Sequence, residues 1–240
     1  MSFWIPARSR REEIMDRSDN TRDALGAALR DIRWTNRWLG GARVWLDGLT
    51  AYETTPEDGR PLRLLDVGTG EADLPRTWVD RARRAGRSVQ VVALDADPAT
   101  VEVATDACRD YPEITVVRDD AFALPYDARS FDLVSASMFL HHFGETDVVE
   151  LLRGFLRVSS RAVVVHDLFR HRLPWAFIGA VGWGTWRSSM YRHDAPLSVL
   201  RGFTASEFEG LCAQSEPARA VVESRWPFRV LARLEPEAPA

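Results

Sequence analysis

The chain contains the stretch Leu64-Leu65-Asp66-Val67-Gly68-Thr69-Gly70-Glu71-Ala72-Asp73, which has the pattern of a buried strand, a glycine turn and the start of a helix. The apolar residues at its beginning suit a parallel strand that is covered on both faces. Gly68 and Gly70 permit a tight turn with positive φ and let the backbone approach a bound molecule closely. A nucleotide-like ligand at this turn is therefore the first hypothesis.

Strands and helices alternate regularly after residue 61, which is typical of a mostly parallel sheet with helices on both faces. The first predicted strand ends at residues 66–68. The other predicted strands lie at residues 89–95, 114–118, 131–137 and 162–165, followed by two closing strands at 219–223 and 226–232. The predicted fold class is therefore α/β, with a Rossmann-like, doubly wound sheet.

Two further segments accompany this alternation. Residues 1–61 are predicted to form an N-terminal helical cap segment, because apolar residues recur at the helical period between residues 25 and 39. Residues 62–240 are predicted to form the main domain, and residues 168–203 within it break the strand and helix rhythm. We interpret this insertion as a lid, and we expect it to cover the ligand site together with the N-terminal helices.

The composition is that of an ordinary globular protein. The 240 residues carry a net charge of −4, which argues against nucleic acid or an anionic membrane as the main partner. Cys108 and Cys212 lack metal-type spacing and indicate a reduced, cytoplasmic setting. No apolar stretch of the sequence is long enough to cross a bilayer. Because every basic residue other than the histidines is arginine, Schiff-base chemistry on lysine and a Walker phosphate loop are excluded.

Polar side chains follow the predicted strands at their carboxyl ends, where ligands bind to open parallel sheets. Asp95 suits the hydroxyls of a ribose better than helix capping, because Asp97 is better placed for the cap. Asp73 occupies the position where a dinucleotide fingerprint needs a glycine, so its charge disfavours a pyrophosphate and favours an amine and a sulfonium. The strand ends offer Asp66, Asp95, Asp119-Asp120, residues 137–142 and His166-Asp167.

An ordered series of motifs carries a resemblance to a known family. The series is Asp66-Val67-Gly68-Thr69-Gly70, Leu94-Asp95, Asp120-Ala121-Phe122-Ala123-Leu124-Pro125, Ser130-Phe131-Asp132-Leu133-Val134 and Leu140-His141-His142. Over residues 62–167 it resembles the class I S-adenosylmethionine-dependent methyltransferases, and within them the small-molecule branch that includes the quinone-biosynthesis enzymes. The resemblance implies a seven-stranded sheet whose last strand is antiparallel, with S-adenosylmethionine as the cofactor.

The resemblance also implies roles for individual residues. The backbone of residues 68–70 would lie against the methionine part of the cofactor, and Asp66 would help to hold its amine. Asp95 would take the ribose hydroxyls, and Asp120 would face the adenine amino group with Ala121 beside it. The complete predicted cofactor set is Asp66, Gly68, Thr69, Gly70, Asp95, Ala96, Asp120, Ala121 and Ser137.

The implied reaction is an in-line displacement on the methyl group of the sulfonium, for which alignment and desolvation matter more than acid or base chemistry. A base assists when the acceptor is a phenol or an alcohol, and we predict His141, His166 and Asp167 for this catalytic role. His142 is predicted to be structural. We predict no metal site, because Asp167 is followed by Leu168 rather than by another oxygen ligand.

The acceptor side depends on the lid, whose large apolar side chains would make the pocket apolar and lined by aromatic rings. This favours a hydrophobic, aromatic or polyketide-like small molecule of secondary metabolism, methylated on oxygen or carbon. Two alternatives stay open: a nicotinamide-dependent reductase, and a non-catalytic cofactor-binding partner protein whose aromatic helices form a subunit interface. A homodimer also stays open, and RNA methylation has only the fold in its favour.

Overall fold

Seven strands form one sheet in the computed structural model, which describes residues 4–17 and 19–238. Residues 1–3, 18, 239 and 240 of the predicted segments lie outside the described residues. The strands are β1 (Leu62–Val67), β2 (Val89–Asp95), β3 (Ile114–Arg118), β4 (Phe131–Ser137), β5 (Ser159–Leu168), β6 (Arg219–Arg225) and β7 (Arg229–Glu235).

The strand order is β3-β2-β1-β4-β5-β7-β6. The pairs among β1 to β5 are parallel, whereas β7 is antiparallel to both β5 and β6. The order reverses between β1 and β4, which is the point where open α/β sheets bind their ligands. The predicted fold class is confirmed, including the seven strands and the antiparallel last strand.

Helices cover the faces and the carboxyl edge of the sheet. They are α1 (Arg22–Trp38), α2 (Gly41–Thr50), α3 (Asp73–Arg84), α4 (Pro98–Ala107), α5 (Glu145–Val158), α6 (Arg172–Thr185), α7 (Ser189–Arg201) and α8 (Ala205–Gln214), with short 3₁₀ turns at Ile14–Asp16 and Leu140–His142. None of the helices in the described part of the chain has the length and apolar character needed to cross a bilayer.

Helix positions follow from local sequence signals. Asp97 caps α4 through a 2.7 Å hydrogen bond from the backbone N–H of Thr100, as predicted. A capping box begins α8, since Thr204 and Glu207 exchange hydrogen bonds between side chain and backbone. The apolar stripe of α5 is buried against β4 and β5. Its residues are Val148, Leu151, Leu152, Phe155 and Leu156.

The predicted bounds of the last three strands were wrong, and β6 ends at Arg225 rather than at residue 223. Strand β5 begins at Ser159 and ends at Leu168, three residues beyond the predicted 162–165 span at each end. Its start pairs with Phe131 across a register shift in β4, which the sequence pattern does not reveal. Strand β7 begins at Arg229 rather than at residue 226, because residues 226–228 form the turn of the β6–β7 hairpin.

The antiparallel strand β7 begins at the edge of the sheet where the parallel strands end. The parallel strands all end at one edge of the sheet, and an antiparallel neighbour begins there. Arg229, the first residue of β7, is accordingly paired with Leu168, the last residue of β5. The closing hairpin therefore adds a residue to the edge where β1, β2, β4 and β5 place their polar ends.

Candidate active site

A cavity of about 690 Å³ opens at the carboxyl edge of the sheet. Its size lies within the range of about 300–1,000 Å³ that is usual for small-molecule sites. The ends of β1, β2 and β4 form its floor, and α1, α7, and the two 3₁₀ turns form its walls. The segments of residues 1–61 and 168–203 that were predicted to cover the site thus both contribute to its lining.

The glycine turn after β1 needs its glycines. Gly68 and Gly70 have φ angles of 67° and 57°, in the left-handed region that favours glycine. A Cβ added at Gly68 would also clash with the ring of Phe139, so the turn and the segment after β4 fit together only with a bare backbone there. Ala72 follows with a φ of 55° and serves as the N-cap position of α3.

Asp66 is the polar end of β1 and is buried beneath the turn. Thr69 donates a 2.8 Å hydrogen bond to one carboxylate oxygen, and Ser135 of β4 donates to the other. Burial raises the pKa of Asp66 to about 7, although the hydrogen bonds from Ser135 and Thr69 oppose the shift. The carboxyl group therefore changes charge near neutral pH and responds strongly to any charge placed beside it.

Asp95, at the end of β2, is tied to the same turn. Its carboxylate accepts hydrogen bonds of 3.1 Å from the backbone N–H of Gly70 and 3.1 Å from that of Asp97. Burial raises the pKa of Asp95 to about 6. Among the described residues, no arginine or histidine forms an ion pair with Asp66 or Asp95.

Two more carboxylates lie close to the turn. Glu71 and Asp73 both line the cavity, and burial raises the pKa of both groups, to about 7 for Glu71. Arg33 lies 3.1 Å from Glu71, and Asn36 donates a 3.2 Å hydrogen bond to Asp73. This end of the cavity is electronegative and suits a cationic ligand, because a positive charge would relieve the repulsion among the buried carboxylates.

The structure brings most of the predicted cofactor residues together. Asp66, Gly68, Thr69, Gly70, Asp95, Ala96 and Ser137 all line the cavity. Asp120 and Ala121 follow β3 outside the lining: Asp120 is exposed, with its carboxylate accepting a 2.9 Å hydrogen bond from Phe122, and Ala121 is buried in the core. Their predicted contact with adenine stays a prediction.

His141 forms a dyad with Asp167. The two side chains approach to 2.7 Å between Nδ1 and a carboxylate oxygen, and the backbone N–H of His141 donates to the other oxygen at 3.0 Å. Burial alone would raise the pKa of Asp167, but His141 lowers it to about 2, so Asp167 is an acceptor. The Nδ1 atom of His141 therefore carries a proton, and its Nε2 atom is free to accept one.

The predicted catalytic residues do not occupy equivalent places. His141 lines the cavity, whereas His166 and Asp167 are buried in β5 and are absent from the lining formed by the described residues. The Nδ1 atom of His166 lies 2.8 Å from the hydroxyl oxygen of Ser137, and burial lowers the pKa of His166 to about 3. A direct role of His166 or Asp167 at the acceptor stays a prediction.

The N-terminal segment contributes residues that the sequence did not indicate. Asp194 of α7 accepts hydrogen bonds from the backbone of Ile14 and Met15, which holds this segment over the cavity. Glu13 is thereby buried at 3.6 Å from Nε2 of His141, and Asp16 lies 2.8 Å from Nδ1 of His142. No motif links these residues, because they lie more than a hundred positions apart in the chain.

Glu13, His141 and His142 could hold a metal ion, since each offers a ligand atom within 4.8 Å of the others. All three residues already have protein partners. Ser198 donates a 2.9 Å hydrogen bond to Glu13, and Arg201 lies 3.6 Å from its other carboxylate oxygen. The same contacts can instead hold the imidazole ring of His141 in position without a metal ion.

The other end of the cavity is more apolar. Leu168, Ile178 and Val199 line it together with Tyr191, whose hydroxyl donates a 2.9 Å hydrogen bond to Thr35. Arg229 is buried in the same lining. The lid aromatics Trp175 and Phe177 are instead exposed, and Trp186 is buried in the core that joins α1 to the lid.

Comparison with known proteins agrees with this geometry. Residues 64–161 match a family model described as a methyltransferase domain. The chain is 32% identical over 102 residues to the ubiquinone/menaquinone biosynthesis C-methyltransferase of Idiomarina loihiensis, covering 41% of this chain and 39% of that protein. It is 32% identical over 160 residues to the 2-phytyl-1,4-naphtoquinone methyltransferase of Thermosynechococcus vestitus, covering 64% of this chain and 61% of that protein. The chain thus spans less than two thirds of the length of either relative.

Among solved structures, human N-acetylserotonin methyltransferase in complex with S-adenosylmethionine is similar with a TM-score of 0.66. The two sequences are 12% identical, and the similarity covers 91% of this chain and 57% of the human chain. At this level of identity the likeness concerns the fold alone. The match over residues 64–161 shows that this part of the chain is similar to a methyltransferase domain, and the strand order and the glycine turn agree with that similarity.

Proposed function

We propose that the chain is an enzyme that transfers the methyl group of S-adenosylmethionine to an oxygen or carbon of a hydrophobic, aromatic or polyketide-like small molecule. One observation carries the proposal: a single cavity joins the electronegative glycine turn to His141 and to an apolar wall. Donor and acceptor would therefore meet inside one enclosed space. The two curated relatives are named as quinone-biosynthesis or naphtoquinone methyltransferases, which supports a flat apolar acceptor.

The donor end suits the charge of the cofactor. S-adenosylmethionine carries an amine and a sulfonium, both cationic at neutral pH. Asp66 is proposed to hold the amine and Asp95 the ribose hydroxyls, with the backbone of residues 68–70 against the methionine part. Burial raises the pKa values of Asp66 and Asp95 to about 7 and about 6, and a cation bound beside them would lower these values and favour the ionised carboxylates.

His141 is proposed to accept a proton from a phenol or alcohol acceptor as its oxygen attacks the methyl group. Asp167 would act through His141 as a positioning residue, because it fixes the ring and keeps the proton on Nδ1. Glu13, 3.6 Å from Nε2, is placed to stabilise the imidazolium that results. For a carbon acceptor the same dyad would take the proton that the methylated carbon releases.

Helices α1 and α7 would exclude water from the cavity. Both helices line the cavity, and the hydrogen bonds from Ile14 and Met15 to Asp194 close the N-terminal segment over it. A dry site strengthens the electrostatic interactions in it and favours loss of the sulfonium charge in the transition state. Direct roles of His166, Asp120 and Ala121, a cytoplasmic location, a place in secondary metabolism and a homodimer all stay predictions.

The test has two steps. Calorimetry with S-adenosylmethionine should show binding by the wild-type protein and much weaker binding by Asp95→Ala. Incubation of protein and cofactor with an extract of the native host should then yield, by mass spectrometry, a metabolite that has gained one methylene mass. A protein that ignores S-adenosylmethionine and binds NADH would overturn the proposal in favour of a reductase. Cofactor binding without any methylated product would favour a non-catalytic partner protein.

A further inference from the structure

Arg229 is a buried cation in the wall of the cavity. It is the first residue of β7, is paired with Leu168 of β5, and is 3% exposed. Leu168, Ile178 and Tyr191 line the same cavity. The guanidinium therefore lies at the apolar end of the site and is largely shielded from solvent.

The side chain of Arg229 forms no hydrogen bond or ion pair with any residue in the described part of the chain, and its Nε is buried without a partner. Other buried arginines are fully engaged. Arg170 donates to two backbone carbonyls and pairs with Glu207. Arg201 donates to three backbone carbonyls and pairs with Asp16. Arg229 alone of these three lacks the partners that normally accompany a buried charge.

No carboxylate in the described part of the chain forms an ion pair or a hydrogen bond with Arg229. Asp167 lies on the adjacent strand and its charge acts favourably on Arg229, but among the described residues its carboxylate accepts hydrogen bonds only from His141 and from the backbone N–H of Leu168, so no hydrogen bond joins it to the guanidinium. The hydroxyl of Tyr191 donates to Thr35 and remains neutral, since burial raises its pKa to about 12. The guanidinium charge is therefore still available to a molecule that enters the cavity.

The cavity is thus electrically polarised. Its glycine-turn end holds the carboxylates of Asp66 and Asp95, and its other end holds Arg229. Strands β4 and β5 lie between β1 and β7, so β1 and β7 are separated by three inter-strand spacings. The two ends of the cavity are therefore about 14 Å apart. This distance separates Arg229 from the place proposed for the methionine part of the cofactor, so the acceptor is the molecule that reaches it.

We propose that Arg229 binds a carboxylate on the methyl acceptor, which would then be an apolar, ring-bearing acid rather than a neutral molecule. The inference rests on the proposed function and specifies its substrate class. A guanidinium matches a carboxylate through two parallel hydrogen bonds, and the match is strongest in a dry site. Leu168 and Ile178 would contact the apolar body of the acid.

Matched probes test the charge without knowledge of the acceptor. The probes are 2-naphthoate and its neutral isostere 2-naphthamide, and binding is measured by calorimetry with and without saturating S-adenosylhomocysteine. Wild-type protein should prefer naphthoate by about tenfold or more, as expected for a charge-assisted bidentate pair. Arg229→Met should abolish the preference, and Arg229→Lys should keep part of it. Arg192→Met is the matched control, because Arg192 is exposed on α7 and outside the lining.

Thermal unfolding of the unliganded protein separates binding from a structural role. Because a buried, unpaired cation is held at a cost in stability, Arg229→Met should melt at or above the wild-type Tm. A lower Tm for this variant would overturn the proposal, as would a wild-type protein without a preference for naphthoate. A large loss of S-adenosylhomocysteine affinity in Arg229→Met would also overturn it, by assigning the charge to the cofactor.

The outcome for the proposed function is read separately. If S-adenosylhomocysteine fails to bind wild-type protein, the methyltransferase proposal fails. The naphthoate preference in the absence of that ligand still decides whether Arg229 recognises a carboxylate.

Discussion

The backbone N–H of Gly70 donates a 3.1 Å hydrogen bond to the carboxylate of Asp95. The glycine turn after β1 and the acidic end of β2 are therefore one structural unit before any ligand arrives. A cofactor that binds both parts meets a preorganised surface, and little ordering entropy remains to be lost. Changes at either residue should consequently affect the same binding step.

Asp95→Asn tests this unit from the side of the carboxylate. The amide keeps the size of the side chain but loses the charge that its hydrogen bonds to Gly70 and to the ribose would use. Affinity for S-adenosylmethionine should fall by about 10- to 100-fold, the usual worth of a hydrogen bond to a charged group. Calorimetry measures this affinity, and the Asp127→Asn variant, which changes an exposed residue, is the control. An unchanged affinity would exclude Asp95 from the binding site.

Gly68→Ala tests the unit from the side of the turn. The new Cβ would require a strained φ of 67° and would clash with the ring of Phe139. The free energy of unfolding should fall by about 1–3 kcal/mol, and cofactor binding should weaken. Urea denaturation measures the change in the free energy of unfolding. Gly154→Ala is the control, since an added Cβ on α5 meets nothing within 4 Å and should stabilise the helix by up to about 1 kcal/mol.

Asp66 should make stability depend on pH in a defined direction. Burial raises its folded-state pKa to about 7, above the unfolded value, so the folded protein binds the extra proton between about pH 4 and 7. The contribution of this group is therefore most favourable at acid pH and is lost as the pH rises through 7. Asp66→Asn removes the cost of ionising this buried carboxyl group. The Tm of the variant minus that of the wild type should therefore increase from pH 5 to pH 8.

Asp132 provides the opposite control. Burial would raise the pKa of Asp132, but Arg60, 2.6 Å away, lowers it below its usual value. The pair contributes stability above the unfolded pKa and loses it as the pH falls. Asp132→Asn should therefore cost most near neutral pH and least in acid. Rising trends for both variants would contradict the assignment of Asp132, and falling trends for both would contradict that of Asp66.

His141→Gln tests the proposed base. With a phenolic acceptor, the rate of methyl transfer should fall by about 100-fold or more, the usual range for general base catalysis. The loss should shrink at high pH, where the acceptor ionises without help. Binding of S-adenosylhomocysteine should not change, and His193→Gln, half exposed on α7, should leave the rate intact. A uniform rate loss at all pH values would indicate a structural role.

The sequence predicted the sheet well because its signals are local. Strands β2, β3 and β4 have the predicted bounds, and seven of the nine residues predicted to bind the cofactor line the cavity at strand ends. Capping residues such as Asp97 also act within one turn of helix. These features need only neighbouring residues, so a pattern in the sequence is enough to locate them.

The acceptor side could not be predicted in the same way. Glu13 reaches His141 from more than a hundred positions away, through a segment that Asp194 of α7 holds in place. Arg229 reaches the cavity because it pairs with Leu168 at the end of β5, whereas the sequence predicted a strand start at residue 226 and no register with β5. The partners of these residues are set by tertiary packing, and no spacing rule connects them.

The placement of β7 divides the chain by task. The proposed donor residues lie between residues 66 and 137, whereas the proposed base lies in the 3₁₀ turn after β4 and the proposed acceptor wall comes from residues 168–229. If the proposed roles hold, substitutions in residues 168–229 would change which molecule is methylated while the donor stretch stays unchanged. A fold arranged in this way can acquire new acceptors by changing its flanks, without having to rebuild its chemistry each time.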